Sequence, residues 1–301
     1  MGTPEFGCAM LQELLNEERN VVAVVTQPDK LVGRKQILTF SPVKKLALEH
    51  DIPVIQPVKI RNEYEEVLSY KPDLIVTCAY GQFIPNQILE APELGCINVH
   101  ASLLPKLRGG APIQHAIIDG YDKTGITIME MANRMDAGDI ISSAEVKIED
   151  DDTYGSLHDR LMVTAAALLK ETMPIVLDGS YEAVKQNEEE ATFGYNIAKE
   201  EEHVDLTHSY RQVYNHIRGL IPAPCSYILV DGRKYKIWGI KETDITKEGE
   251  NGMLVVDKGL FMIVDNRLLE ILEIQPEGRS QMKARDFING AGRGFNGRVA
   301  S

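Results

Sequence analysis

The sequence predicts an α/β protein with a doubly wound, mostly parallel Rossmann-like sheet, followed by a small antiparallel β-barrel of OB-like type. Three observations predict this. Short apolar runs rich in β-branched residues alternate with helical patterns over residues 1–185. Residues 186–205 are acidic and poorly patterned, and from residue 206 to 301 the apolar period changes to two. We therefore predict a first domain at 1–185, a linker at 186–205 and a C-terminal domain at 206–301.

In the first domain, residues 21–25, 74–78 and 96–100 read as buried strands. A helix is predicted to open at Ser41, which can cap the free amides, with Pro42 in the first turn. Strands that alternate with helices imply a parallel sheet covered on both faces, whose ligands bind at the carboxyl ends of the strands.

Two further strands and a long amphipathic helix complete the first domain, at residues 126–131, 140–148 and 153–177. In the second domain Asp231-Gly232 is a strong hairpin signal. The strands predicted there are 226–230, 233–240, 252–256, 260–264 and 268–274. Several short antiparallel strands in under a hundred residues suggest a small barrel.

Composition indicates a globular protein. No apolar run in the 301 residues approaches the roughly 20 needed to cross a bilayer, and the opening residues lack the pattern of a signal peptide, so the cytoplasm is the expected location. The four cysteines never form a Cys-x-x-Cys pair. We expect reduced thiols and no metal site.

Charge is distributed unevenly along the chain. The net charge of −13 argues against a nucleic-acid partner, because phosphate binding relies on Lys and Arg. Residues 206–301, however, carry 14 Lys and Arg against 11 Asp and Glu. This asymmetry would let a polyanion bind to the C-terminal part. A random distribution of charged residues over the surface would also produce such an asymmetry.

Residues 98–105 read Asn-x-His-x-Ser-Leu-Leu-Pro, and residues 136–139 read Asp-Ala-Gly-Asp. Together these motifs resemble the folate-dependent formyltransferase family, which uses 10-formyltetrahydrofolate as its formyl donor. The resemblance implies that Asn98, His100 and Asp136 are catalytic. It also implies that the folate is contacted by Ser102, Leu103, Leu104 and Pro105.

The spacing of the first two residues agrees with such chemistry. Asn98 and His100 lie two apart on a strand, so both side chains leave on one face at the strand end. An Asn amide can donate to the oxyanion that forms when an amine attacks a formyl carbon. An imidazole can move the proton that the amine must lose. Asp136 is expected to orient His100 and to help relay that proton.

Other segments resemble the members of the family that act on initiator methionyl-tRNA. These segments are Gly-Thr-Pro-Glu-Phe at residues 2–6, Thr-Gln-Pro-Asp at 26–29 and the C-terminal domain. The loop around Arg34 and Lys35 occupies the place where those enzymes carry an inserted loop that reaches the tRNA, so both residues are expected to contact tRNA. No obligate protein partner is evident in the sequence.

Two alternatives stay open. An amino-sugar nucleotide formyltransferase of the same family would share the catalytic residues, and a folate- or RNA-binding relative would do no chemistry. The C-terminal domain and the Arg34 loop favour the tRNA enzymes.

The front of the chain departs from the family. Its members carry a short apolar strand before Met-Gly-Thr-Pro, and this chain begins at that Met1. Such a strand is central in a doubly wound sheet, so its loss would leave backbone groups of two neighbours unpaired. We therefore expect that the first strand is missing because of a misplaced translation start or a clipped sequence. If the chain is real as written, we expect a poorly stable or inactive protein.

Overall fold

The computed structural model describes residues 1–33 and 36–301, which divide into two compact units. Unit 1 comprises residues 1–109, 124–146 and 160–193, and unit 2 comprises residues 110–123, 147–159 and 194–301. The units are discontinuous in sequence, unlike the continuous domains predicted at 1–185 and 206–301. One reason is that residues 147–159 join unit 2 through backbone contacts, such as Gly155 N donating to Ile221 O at 2.9 Å.

Unit 1 is built on parallel-rich sheets. Its strands in chain order are β1 (Val24–Val25), β2 (Lys30–Val32), β3 (Ile37–Thr39), β4 (Val54–Ile55), β5 (Ile75–Thr77), β6 (Cys96–His100), β7 (Lys123–Glu130) and β8 (Ile140–Lys147). β1 pairs in parallel with β4, and a four-stranded sheet has the order β5-β6-β7-β8. β5 and β6 are parallel, whereas β7 runs antiparallel to β6. β2 and β3 form a separate antiparallel ribbon.

Helices alternate with these strands along the chain. Those that precede the predicted linker are α1 (Glu5–Asn16), α2 (Pro42–Glu49), α3 (Tyr64–Ser69), α4 (Asn86–Leu89), α5 (Pro112–Ile118) and α6 (Tyr154–Leu177). The predicted start of α2 is confirmed, since Ser41 Oγ accepts a hydrogen bond from Lys44 N at 3.1 Å. The predicted apolar face of α6, which includes Leu157 and Leu161, is buried. No helix in the described part of the chain is long and apolar enough to cross a membrane.

The strand predicted at residues 21–25 is shorter than expected. Only Val24 and Val25 pair with a neighbour, through β4. Residues 21–23 instead line a cavity of about 360 Å³ in unit 1, which we call the β1–β5 gap. Residues 71–76 line its other side. Apolar helix residues complete the lining, among them Met10, Leu11, Leu14, Val67, Met173 and Leu177.

Met1 and Gly2 lie at one end of this gap and are hydrogen-bonded to both sides. The Met1 amino group donates to Val76 O at 2.6 Å, and Met1 O accepts from Cys78 N at 2.9 Å. Gly2 N donates to Val25 O at 3.0 Å. The backbone of these two residues therefore occupies the position of a strand between β1 and β5, and burial lowers the pKa of the Met1 amino group to about 6.

Unit 2 contains a curled antiparallel sheet. Its remaining elements are α7 (Tyr210–Gly219), β9 (Tyr227–Val230), β10 (Arg233–Lys241), β11 (Leu254–Val256), β12 (Leu260–Val264), β13 (Arg267–Pro276), β14 (Met282–Lys283) and α8 (Ala284–Asn289). The strand order is β11-β12-β13-β10-β9, with β14 beside β13. The predicted Asp-Gly hairpin is confirmed, because Asp231 and Gly232 have φ angles of 50° and 73°.

The last residues of the chain pair with both edges of this sheet. Leu254 N donates to Arg298 O at 2.7 Å, beside β11. Ser301 and Leu229 of β9 exchange two backbone hydrogen bonds of 2.7 and 2.9 Å. Residues 298–301 thus connect the two outer strands, and the sheet encloses a core that includes Ile237, Leu269 and Phe287.

The β1–β5 gap generates a first prediction. A segment of six alternating Val and Ile residues, placed after an initiating Met and before Met1, is expected to pair with residues 20–24 and 71–76 and to fill the gap. Burial of its apolar side chains should raise the melting temperature by roughly 5–10 °C. A six-residue extension of Ser and Asp is the matched control, and equal melting temperatures for the two extended proteins would contradict the prediction.

The buried amino group generates a second prediction. Its pKa is about 6 in the folded protein and 8.0 as an ordinary terminus, so between these values the unfolded chain binds a proton that the folded chain does not. The free energy of unfolding should therefore rise as the pH increases from 6 to 8, by up to about 3 kcal/mol. Urea titrations at several pH values measure it. The Val/Ile extension removes the buried charge. The free energy of unfolding of the extended protein should therefore exceed that of the parent by an amount that shrinks by up to about 3 kcal/mol as the pH rises from 6 to 8.

Candidate active site

β6 brings two of the predicted catalytic residues to one edge of the sheet. Ile97 and Val99 are buried on one face of the strand, and Asn98 and His100 project from the other. Thr77, at the end of β5, is the parallel partner of Asn98. Both side chains therefore lie at the carboxyl end of paired parallel strands, as predicted.

The Asn98 amide is oriented by its neighbour. Thr77 Oγ1 donates to Asn98 Oδ1 at 2.7 Å. Within residues 1–33 and 36–301, Asn98 Nδ2 has no hydrogen-bond partner. Its two N–H donors are thus available to an incoming oxygen.

His100 is buried, and its ring has a defined tautomer. Nε2 lies 3.0 Å from Leu107 O, which can only accept a hydrogen bond, so Nε2 carries a proton. In the neutral ring the lone pair is then on Nδ1. Nδ1 faces Asp136 Oδ2 at 3.7 Å, which is too long for a hydrogen bond but close enough for an ion pair once Nδ1 is protonated. The predicted proximity of His100 and Asp136 is confirmed.

Asp136 sits in a tight turn after β7. Its φ of 49° lies in the left-handed region, which Asp adopts more readily than most residues. Its Oδ2 accepts a hydrogen bond from Gly109 N at 2.8 Å. A Cβ at Gly138 would overlap Glu130 O, so only glycine lets the turn return against the end of β7. These contacts aim the carboxylate at the imidazole.

Residues 102–105, the predicted folate contacts, form the loop that follows β6. Ser102 Oγ donates to Lys106 O at 2.6 Å and Ser102 O accepts from Thr127 Oγ1 of β7 at 2.7 Å, so both its hydroxyl and its carbonyl have protein partners. Leu104 is buried, and its N donates to Thr127 Oγ1 at 3.1 Å. Leu103 and Pro105 are half-buried. The loop is therefore held firmly beside His100, with part of its surface accessible.

The start of the predicted linker lies against this loop. Thr192 Oγ1 accepts from Leu107 N at 2.9 Å. The Arg108 side chain, 2% exposed, donates to both carboxylate oxygens of Glu188 at 3.0 and 3.2 Å. Hydrogen bonds from Arg108, which has the larger effect, and from Arg134 hold the pKa of the Glu188 carboxyl below its ordinary value. Sequence reasoning missed the pairing of Arg108 with Glu188, because an acidic run offers no pattern that marks one carboxylate as a partner.

The remaining predicted site residues are the two expected to contact tRNA. Arg34 and Lys35 fall outside the described residues. The strands on either side of them, β2 and β3, expose Leu31, Ile37 and Leu38. Among the described residues no three His, Cys, Asp or Glu side chains come together as a metal site, and the absence of a metal stays a prediction.

Known proteins resemble the chain along nearly its whole length. Methionyl-tRNA formyltransferases of Bacillus thuringiensis subsp. konkukian (strain 97-27) and Bacillus cereus (strain B4264) are 50% and 51% identical to it over 295 residues, which are 96% of this chain and 94% of each relative.

Solved structures share the fold. The sugar 3N-formyl transferase WlaRD, crystallised in the presence of dTDP and 5-N-formyl-THF, is 17% identical with a TM-score of 0.69, covering 93% of this chain and 97% of that one. HypX from Aquifex aeolicus, in complex with tetrahydrofolic acid, is 16% identical with a TM-score of 0.67, covering 92% of this chain and 49% of that one.

Two family descriptions match the sequence. Residues 1–173 match "Formyl transferase" and residues 196–292 match "Formyl transferase, C-terminal domain". The first match alone covers more than half of the chain and includes Asn98, His100 and Asp136. The chain therefore belongs to the formyl transferase family.

Proposed function

We propose that this enzyme transfers the formyl group of 10-formyltetrahydrofolate to the α-amine of methionine on initiator methionyl-tRNA. The observation that carries the proposal is the 50% identity to methionyl-tRNA formyltransferases across 96% of the chain, which spans both family matches. The arrangement of Asn98, His100 and Asp136 supports the chemistry.

His100 is the base in this proposal. As the methionine nitrogen bonds to the formyl carbon, His100 Nδ1 takes the proton that the nitrogen loses, since Nε2 is already bound to Leu107 O. Asp136, 3.7 Å away, then stabilises the imidazolium. When the bond between the formyl carbon and N10 of the folate breaks, the proton passes to N10. No net proton is gained or lost by the enzyme.

Asn98 stabilises the charge that develops during the same step. Its free Nδ2 donors are suited to the oxyanion that forms on the formyl oxygen. Thr77 restricts rotation of the amide, so the donors are oriented before the substrate arrives. No reorganisation of Asn98 is then needed as the charge appears.

The accessible part of the loop after β6 suits the folate. Leu103 and Pro105 are half-buried and belong to the loop that follows His100, so we assign folate contact to them. Ser102 and Leu104 are buried and act indirectly, by holding the loop.

We propose that the C-terminal sheet, as an OB-type barrel, and the loop carrying Arg34 and Lys35 contact the tRNA. Five cations near the C-terminus are candidates for phosphate contacts: Arg279, Lys283, Arg285, Arg293 and Arg298. Lys283 pairs with Glu273 and Arg298 pairs with Asp231. Arg279, Arg285 and Arg293 are exposed and form no ion pair with any described residue, so they are the stronger candidates.

The substrate assignment has a direct test. Incubation with 10-formyltetrahydrofolate and methionine-charged initiator tRNA should yield N-formylmethionine at the tRNA end, measured after hydrolysis of the aminoacyl ester. Uncharged tRNA is the control for the acceptor amine. Formylation of an amino-sugar nucleotide and not of the charged tRNA would overturn the proposal in favour of a sugar enzyme.

Substitutions at the site should reduce kcat without unfolding the protein. Asn98→Ala removes the oxyanion donor and should lower kcat by about 10²–10³-fold. His100→Asn removes the base and should cost about 10²–10⁴-fold. His50→Asn, at an exposed histidine after α2, is the matched control and should keep parental activity. Melting temperatures measured in parallel exclude misfolding, and a His100→Asn protein as fast as the parent would refute the assigned role.

A further inference from the structure

The Gln186 side chain joins two segments of the site. Its Nε2 donates to Asp136 O at 2.9 Å and to Gly138 O at 2.7 Å. Its Oε1 accepts from Arg108 Nε at 3.0 Å and from Arg108 Nη2 at 2.8 Å. Two donors and two acceptor positions are the full capacity of a primary amide, so every one of them is used.

These partners leave no ambiguity about the amide orientation. Backbone carbonyls only accept hydrogen bonds and a guanidinium only donates them, so the nitrogen must face the Asp136 turn and the oxygen must face Arg108. An exchange of the two atoms would place donor against donor and acceptor against acceptor. The side chain at this position therefore needs both kinds of group.

A closed ring of contacts results. Gln186 binds the backbone of the Asp136 turn and the side chain of Arg108. Gly109, the residue after Arg108, donates its N–H to Asp136 Oδ2 at 2.8 Å. The carboxylate that faces His100 is thus held through its side chain by Gly109 and through its backbone by Gln186.

The Asp136 turn needs such support. Asp136 has a positive φ, a conformation that costs free energy for a residue with a Cβ and persists only where surrounding contacts stabilise it. The distance from Asp136 Oδ2 to His100 Nδ1 is 3.7 Å, so a small displacement of the turn decides whether the ion pair can close.

We propose that Gln186 is a positioning residue for formyl transfer, which holds the Asp136 turn so that the carboxylate faces His100 Nδ1. This inference rests on the proposed chemistry of His100 and Asp136, and it extends the site to a residue of the predicted linker. Gln186 acts through Asp136 and does not itself contact the reacting atoms.

Two substitutions of similar size separate the functions of the amide. Gln186→Glu keeps an acceptor for Arg108 but replaces the donor with an oxygen that repels the carbonyls of Asp136 and Gly138. Gln186→Met removes both, and Arg108 keeps Glu188 as a partner. Gln12→Glu, on the exposed face of α1, is the matched control.

We expect Gln186→Glu to lower kcat by about 10²-fold, because a displacement near 1 Å in an active site costs that much, while KM for both substrates changes little. In an Asp136→Asn background the same substitution should cost almost nothing further, since its effect passes through the carboxylate. Gln186→Met should behave like Gln186→Glu. The inference would be overturned if the fold-losses in kcat from Asp136→Asn and Gln186→Glu multiplied in the double variant. It would also be overturned if kcat were unchanged in either Gln186 variant.

A readout independent of turnover distinguishes this failure from failure of the proposed function. NMR signals of the His100 ring, assigned by comparison with His100→Asn, should shift in Gln186→Glu and stay in place in Gln12→Glu. Absence of methionyl-tRNA formylation by the parent would refute the substrate assignment alone. An unshifted His100 ring in both Gln186 variants would refute the positioning role, whatever the substrate.

Discussion

The hydrogen bond from His100 Nε2 to the Leu107 carbonyl is the contact on which the rest of the site depends. It determines which ring nitrogen carries the proton in the neutral state and directs the other toward Asp136. It also requires the chain to turn back to the end of β6 within seven residues. The contacts of Ser102 and Leu104 with Thr127 produce that return, so the packing of the loop and the tautomer of the neutral imidazole are consequences of the same fold.

Much of this arrangement could be predicted because it is local. β6 has the predicted bounds, the cap of α2 needs only Ser41 and Pro42, and the shared face of Asn98 and His100 follows from the period of a strand. The approach of Asp136 to His100 was not local, and it was predicted only from the resemblance of the two motifs. Asp before Ala-Gly is typical of a turn, but the sequence does not reveal the contact from Gly109 N that aims the carboxylate.

Gln186 illustrates what sequence reasoning could not find. Its partners lie 48 to 78 residues away, and a single amide has no periodicity or charge that would mark it. The neighbouring acidic residues suggested a solvated connector. In the structure the exposed helical turn Glu188–Glu190 is indeed acidic, but Glu188 also neutralises a buried guanidinium. Composition predicted exposure correctly and could not predict that an exposed carboxylate has a buried partner.

The attachment of residues 298–301 to β9 and β11 affects how the protein can associate. Outer strands with unpaired N–H and C=O groups are templates for intermolecular pairing. Here residues 298–301 cover part of β9 and part of β11, the two outer strands, although they form no regular strand themselves. Without these contacts both margins would be uncovered together, and each would expose backbone groups able to pair with a second molecule. Residues 298–301 thus shield two margins of the sheet from such pairing as well as extending its hydrogen bonding.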